Sequence, residues 1–167
     1  GINETYVTDE NTASEKRKVA REKITEILNI LSGTKASDDA FYILNSGRYE
    51  FKNKGIDLFI NALGKLNKSA ELNKEIVAVI AVPANISGIY KELEYRREGK
   101  KPIEGHTDLP CTHHIFGYEY DAVLNSLREN GLNNNSEDKV KVMFVPSYLN
   151  GNDGVFNLKY KQCQHQH

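Results

Sequence analysis

Apolar residues fall along this chain in two rhythms, one helical and one continuous. Val19, Ile24, Ile27, Leu28 and Leu31 recur at helical spacing and would share one face. Thr12-Ala13-Ser14-Glu15 ahead of them fits a capping box, a hydroxyl at the N-cap with a carboxylate three residues on. Gly33 is placed to end that helix in a left-handed turn. Residues 40–44 are apolar and β-favouring, and read as a buried strand. After Gly55 the helical period returns in Ile56, Phe59, Ile60, Leu63 and Leu66. Residues 76–82, IVAVIAV, are apolar without alternation, which suits a strand covered on both faces in a parallel sheet flanked by helices. Residues 40–82 therefore predict one βαβ unit with a right-handed crossover.

Pro83 ends that strand, and a helix is expected over 87–97, broken by Gly99. Residues 100–112, with Pro102, Gly105 and Pro110, read as loop. A short helix over 121–130 buries Val123, Leu124 and Leu127, with Gly131 beyond its end. Residues 133–138 are turn-rich, and 140–145 form another strand, closed by Pro146. NGNDG at 150–154 carries strong turn chemistry, and the polar tail at 162–167 is the one low-complexity tract. The pattern predicts an α/β, doubly wound, Rossmann-like parallel sheet. A single domain is expected: a leader and basic helix at 1–37, a core at 40–157 and a tail from 158 to 167.

Composition narrows the classes without choosing a function. The 167 residues are 39% hydrophobic and 27% charged, the balance of a soluble globular domain. A net charge of −1 supplies no global field toward nucleic acid or anionic lipid, so any anion site must be local. No apolar run approaches membrane-spanning length, and no basic-then-apolar leader opens the sequence. Cys111 and Cys163 lie far apart and outside any CxxC motif, so reduced thiols and a cytoplasmic location are expected.

Candidate chemistry concentrates after the first strand. Gly47 starts a loop carrying Arg48, Lys52 and Lys54, and a helix follows at once. A strand, a basic loop and a helix start in that order can hold an anion. Backbone N–H groups point from the helix end, a guanidinium offers a bidentate fork, and an ammonium adds a point charge. Spacing alone does not separate this from three solvated cations in one loop. The run Lys16, Arg17, Lys18, Arg21 and Lys23 leaves the same two readings open, with a solvated helix face the usual fate. His106, Asp108, Cys111, His113 and His114 lie within nine residues. They match no standard zinc spacing, so ordinary loop histidines and no metal are expected. Glu50 and Asp57 flank the basic loop without pairing as acid and base. Neither a Walker motif nor GxGxxG is present, which disfavours a standard ATPase or NAD enzyme.

GRYEFKNKG at 47–55, followed by IDLFINALGKLN, resembles the glycogen synthases of the animal, fungal and related bacterial type. The likeness continues through VAVIAVPA at 77–84, Thr112-His113, and DAVLNSLRENGLNNNSEDKVKVMFVP at 121–146. The resemblance implies part of the C-terminal lobe of a two-lobed GT-B glycosyltransferase. Such enzymes transfer glucose from UDP-glucose to the non-reducing end of an α-1,4-glucan, with retention and without a metal or other cofactor. Matched residue by residue, it gives Arg48 and Lys54 the donor diphosphate, with Gly47 at the turn into the loop. It implies UDP-glucose or UDP as ligand and a glycogen acceptor reached through the other lobe. Oligomerisation stays open, since the short 84–112 interval is nearer the compact bacterial type. The family's SYYEPWGYTP-like donor-sugar segment and its N-terminal lobe are not found here, so an inactive fragment of an active parent is expected. Another retaining GT-B enzyme, or a non-catalytic nucleotide- or glucan-binding module, would use the same loop differently.

Overall fold

The computed structural model describes residues 9–97, 110–149 and 155–156. The apolar runs become a parallel sheet: β1 (Phe41–Ser46), β2 (Ile76–Ala81) and β5 (Val140–Val145), in spatial order β1-β2-β5. Ile76 pairs with Phe41 on one side and Val140 on the other, and both ladders run unbroken to the strand ends. All six residues of β2 and all six of β5 are buried, as uninterrupted hydrophobicity requires.

Two helical layers provide that cover. α2 (Ile56–Asn67) and α4 (Ala122–Glu129) pack on the face carrying Ile76, Ala78, Ile80, Val142 and Phe144. α1 (Glu10–Ser32) and α3 (Lys91–Arg97) cover the other, where Ile27, Leu31 and Leu93 meet Val79, Ala81, Met143 and Val145. The steps β1 to β2 and β2 to β5 move the same way across the sheet. Their helices therefore share a face, as a common crossover hand demands.

Several boundaries differ from the sequence reading. Among the described residues β1 is an edge strand with β2 as its one neighbour, and Phe41 and Leu44 are 59% and 58% exposed because the helices leave its outer margin uncovered. α1 starts earlier than expected. Asp9 is its N-cap, accepting from the Thr12 amide at 2.8 Å and the Thr12 hydroxyl at 3.0 Å, so Thr12 lies inside the helix. Val19 is 42% exposed, since α1 meets the sheet only in its second half. Gly33 does close α1, its amide bonding the Asn29 carbonyl at 2.8 Å.

The helix expected over 87–97 divides into β3 (Ile86–Ile89) and α3. Gly88 sits at φ 142°, a conformation open to glycine and incompatible with a helix. β3 pairs antiparallel with β4 (His113–Ile115), just past the stretch read as loop. Residues 1–8, 98–109, 150–154 and 157–167 lie outside the described residues, and with them the expectations for His106, Asp108, Cys163, the NGNDG turn and the tail.

Among the described residues, the outer edge of β5 is closed without a fourth full strand. Residues flanking Cys111 exchange backbone bonds with Phe144: its amide donates to the Pro110 carbonyl at 2.7 Å, and its carbonyl accepts from Thr112 at 3.0 Å. Farther back, buried Asn134 uses its side-chain amide as a strand would. It accepts from the Val142 amide at 2.7 Å and donates to the Val142 carbonyl at 2.8 Å. Lys141 is also fully buried, its ammonium held by the carbonyls of Asn135, Ser136 and Asp138.

Asn134 also stands at φ 54°, where side chains other than Asn and Asp are strained. Asn134→Ala removes both bonds to Val142 and keeps the strain, and should cost about 2–4 kcal/mol. Urea unfolding should show a lower midpoint at unchanged slope. A loss below about 1 kcal/mol would mean that water replaces the side chain at that edge.

Candidate functional site

The loop between β1 and α2 is built by alternation. Gly47 continues the ladder, its amide donating to the Ala81 carbonyl at 3.3 Å, and then the chain turns away from the sheet. Tyr49 and Phe51 point inward and pack against the α2–α4 core, while Arg48, Lys52 and Lys54 are left exposed. Successive turns wind the loop: the Glu50 amide bonds Arg48, Lys54 bonds Glu50 at 2.9 Å, and Gly55 bonds Lys52 at 3.0 Å, each amide meeting a carbonyl. Gly55 ends it at φ 65°, the left-handed conformation that lets the chain enter α2 abruptly.

Tyr49 is the peg of this loop. Its hydroxyl donates to Asp121 Oδ2 at 2.8 Å and accepts from the Val123 amide at 3.0 Å. Asp121 in turn caps α4, its Oδ1 accepting from the Leu124 amide at 2.9 Å. The Tyr49 ring meets Phe144 edge-on, with centroids 6.3 Å apart. Burial, then the Asp121 carboxylate, pushes the Tyr49 phenol well above its usual value. The loop is thereby tied to the start of a helix 72 positions away.

Both cations of the predicted pair stand on this pegged loop at the carboxyl end of β1, facing solvent. The Arg48 side chain is 85% exposed, and its guanidinium lies 3.9 Å from Glu50, a loose contact an incoming anion can replace. The helix start contributes differently than expected. The Ile56 and Asp57 amides are taken by the Phe51 carbonyl, at 3.0 and 3.3 Å, and the Leu58 amide by Asp57 Oδ1 at 2.8 Å. The first amides of α2 are thus satisfied internally, and positive charge at this edge comes from side chains.

Beside the loop a cleft of about 590 Å³ opens between Tyr49, Asn85, Phe116, Tyr120 and Asp121. Pro83 and Ala84 put its floor at the carboxyl end of β2, where ligands of open α/β sheets bind. Sequence reasoning found the loop and missed the cleft. The available signal was the inward–outward alternation of Arg48, Tyr49, Glu50 and Phe51.

The histidine-rich stretch takes another form. Cys111 is buried and donates to the His113 carbonyl at 3.1 Å, and burial pushes its thiol up to about 12. The His113 ring is buried with Nδ1 2.7 Å from Thr112 Oγ1, and the His114 ring lies against Tyr90, centroids 4.1 Å apart and planes tilted by 49°. Each has a separate structural partner, and among the described residues no three metal-ligand side chains converge. No helix of the described residues is long and apolar enough to cross a membrane.

Comparison with known proteins bears on this geometry. The family model for glycogen synthase matches residues 17–93 and 103–165. Glycogen [starch] synthase isoform 2 of Saccharomyces cerevisiae is 28% identical over 185 aligned residues, covering 75% of this chain and 26% of that protein. The Caenorhabditis elegans glycogen [starch] synthase is 27% identical, covering 74% of this chain and 26% of its own. The mouse liver enzyme is 24% identical, over 75% and 25% respectively. The chain spans about a quarter of the length of these curated relatives.

Removing the peg tests the site's construction. Tyr49→Phe strands the Val123 amide and one Asp121 oxygen, and should cost about 1–3 kcal/mol at neutral pH. The raised phenol adds a pH signature. Below about pH 10 its contribution is complete, and as pH rises further the unfolded chain loses a proton the folded chain keeps. Stability of the parent chain should therefore fall on the alkaline side, and Tyr49→Phe should flatten that decline. Identical alkaline slopes in thermal melts of the two proteins would show that the hydroxyl is not held as described.

Proposed function

Because the chain belongs to the glycogen synthase family, we propose that it forms the donor-diphosphate-binding part of a retaining glycosyltransferase that uses UDP-glucose. The observation that carries this reading is the pegged loop, with Arg48 and Lys54 exposed on a rigid turn at the carboxyl edge of a parallel sheet. Breaking the glycosidic bond of a nucleotide sugar sends negative charge onto the departing diphosphate. A guanidinium fork and an ammonium placed there interact more strongly with the transition state than with the bound donor. The cleft between Tyr49 and Asp121 lies next to that charge and is open to the remainder of the donor. Side-chain cations meet the diphosphate in this scheme, so it calls for no divalent ion. The acceptor is an α-glucan chain held opposite the loop by the second lobe, and the setting is cytoplasmic. The 167 residues alone should not transfer glucose, since positioning donor and acceptor together supplies much of the rate.

In the full-length enzyme carrying this segment, Arg48→Ala and Lys54→Ala should each raise the barrier by about 2–4 kcal/mol, the scale of losing one charge-stabilising donor. The effect should fall mainly on kcat, with a smaller change in UDP-glucose affinity. Arg48→Lys should recover part of the loss, because an ammonium cannot reproduce the planar fork. Lys52→Ala is the control on the same loop. Steady-state kinetics beside donor titrations decide the matter. Effects confined to affinity would make the loop an anchoring site of a binding module, and three equal alanine variants would reduce it to solvated surface charge.

A further inference from the structure

Five aromatic rings among the described residues are exposed, and three of them, Phe116, Tyr118 and Tyr120, fall within five positions. Single exposed rings are ordinary, whereas a cluster costs free energy unless something covers it. These three stand on the turn that leads from β4 to α4, and Phe116 and Tyr120 line the cleft beside the pegged loop. They fall between the two blocks that most resemble the glycogen synthase pattern, Thr112-His113 and 121–146. The motifs that mark the family therefore give them no role.

The backbone under the rings is fixed. Phe116 donates its amide to the Asn85 carbonyl at 2.9 Å, and Gly117 follows at φ 67°, a left-handed conformation that suits glycine. A 3-10 turn over Tyr118–Tyr120 is closed by the Tyr120 amide on the Gly117 carbonyl and the Asp121 amide on the Tyr118 carbonyl, at 2.9 and 3.1 Å. Asp121 is itself bound by Tyr49. Rings on a preordered turn lose little freedom when a ligand covers them. Their surroundings set the ligand's charge. From Pro110 to Leu127 there is no lysine or arginine, and Glu119 and Asp121 add two carboxylates. Phosphate, nucleic acid and anionic lipid are all disfavoured there. Asn85 in the cleft and Glu119 between the tyrosines are exposed, and offer an amide and acceptor oxygens to hydroxyl groups.

We propose that Phe116, Tyr118 and Tyr120 form a stacking surface for the glucose units of an α-glucan chain. A pyranose is apolar on its C–H faces and polar around its rim. An aromatic face attracts the polarised C–H groups, and neighbouring amides, carboxylates and phenols take the hydroxyls. Such a ligand needs no charge, which fits the absence of cations along 110–127. The choice of an α-glucan rests on the function proposed above, in which the acceptor lies opposite the diphosphate loop. The surface gives that acceptor a contact on the donor's own lobe, at the edge of the cleft beside Tyr49.

The test is a nuclear magnetic resonance titration of the 167-residue chain with maltohexaose, an α-1,4-linked glucose hexamer, and with its β-1,4-linked counterpart cellohexaose. Maltohexaose should give saturable shifts at the amides of residues 116–121 and bind more tightly than cellohexaose. Tyr120→Ala should weaken it about three- to tenfold, the scale of one aromatic contact. Tyr120→Phe should keep most of the affinity, because the ring does the stacking. Phe41→Ala, which removes an exposed ring at the amino end of β1, should change nothing. Tyr120 is 86% exposed, so its loss leaves the fold in place, and amides outside the turn check that. Absence of saturable shifts, equal binding of cellohexaose, or indifference to Tyr120→Ala overturns the proposal. So does a shift of the same amides on raising protein concentration without sugar, which would seat a second copy on the rings. A parallel titration with UDP separates this surface from the function it rests on. UDP shifts at residues 47–55 without a maltohexaose response would sink the surface alone. Maltohexaose binding without a UDP response would uphold the surface and sink the donor reading.

Discussion

Strands β2 and β5 are buried at every position, and most of the architecture follows from that one constraint. A backbone sealed from water must satisfy its amides and carbonyls within the protein, and a strand apolar on both faces must be covered on both. The parallel ladders meet the first demand, and the pairs α2–α4 and α1–α3 meet the second. Where the ladder stops, at the outer edge of β5, the backbone around Cys111 and the side chain of Asn134 complete it. Parallel strands also gather their exits at one edge. The loop after β1, the turn after β2 and the cap of α4 are neighbours for that reason.

How far the sequence announced this depends on the range of each interaction. IVAVIAV was legible because burial on both faces leaves its mark residue by residue, and the helical period of α2 was legible in the same way. β1 was found, but its exposed margin was not, because an apolar strand reads alike whether or not a neighbour covers it. β4 is three residues long and contains two histidines, too short and too polar to register as a strand. Asp9 displaced Thr12 as the cap of α1 because its carboxylate, one turn earlier, takes the amide of Thr12 and draws that residue into the helix.

The candidate site divides along the same line. Arg48 and Lys54 could be named from a local motif. Their support could not, since Tyr49 and Asp121 are joined across 72 positions by a bond that leaves no periodic trace. The helix start, which elementary reasoning would make the anion's main partner, is occupied by the Phe51 carbonyl and by Asp57. On the proposed reading, recognition would rest on the exposed side chains of Arg48 and Lys54, on a loop that Tyr49 ties to Asp121. Rigidity matters here because a cation that must first be ordered returns less of its interaction as binding or rate.

The central claim is that the loop recognises a diphosphate rather than a nucleoside. The most direct measurement is a nuclear magnetic resonance titration of this chain with UDP and, separately, with uridine at equal ionic strength. The account predicts that UDP shifts the amides of residues 47–55 and binds about tenfold or more tightly than uridine, a gap that closes in Arg48→Ala, Lys54→Ala protein. Equal affinity for UDP and uridine, or a preference for UDP that survives loss of both cations, would contradict it.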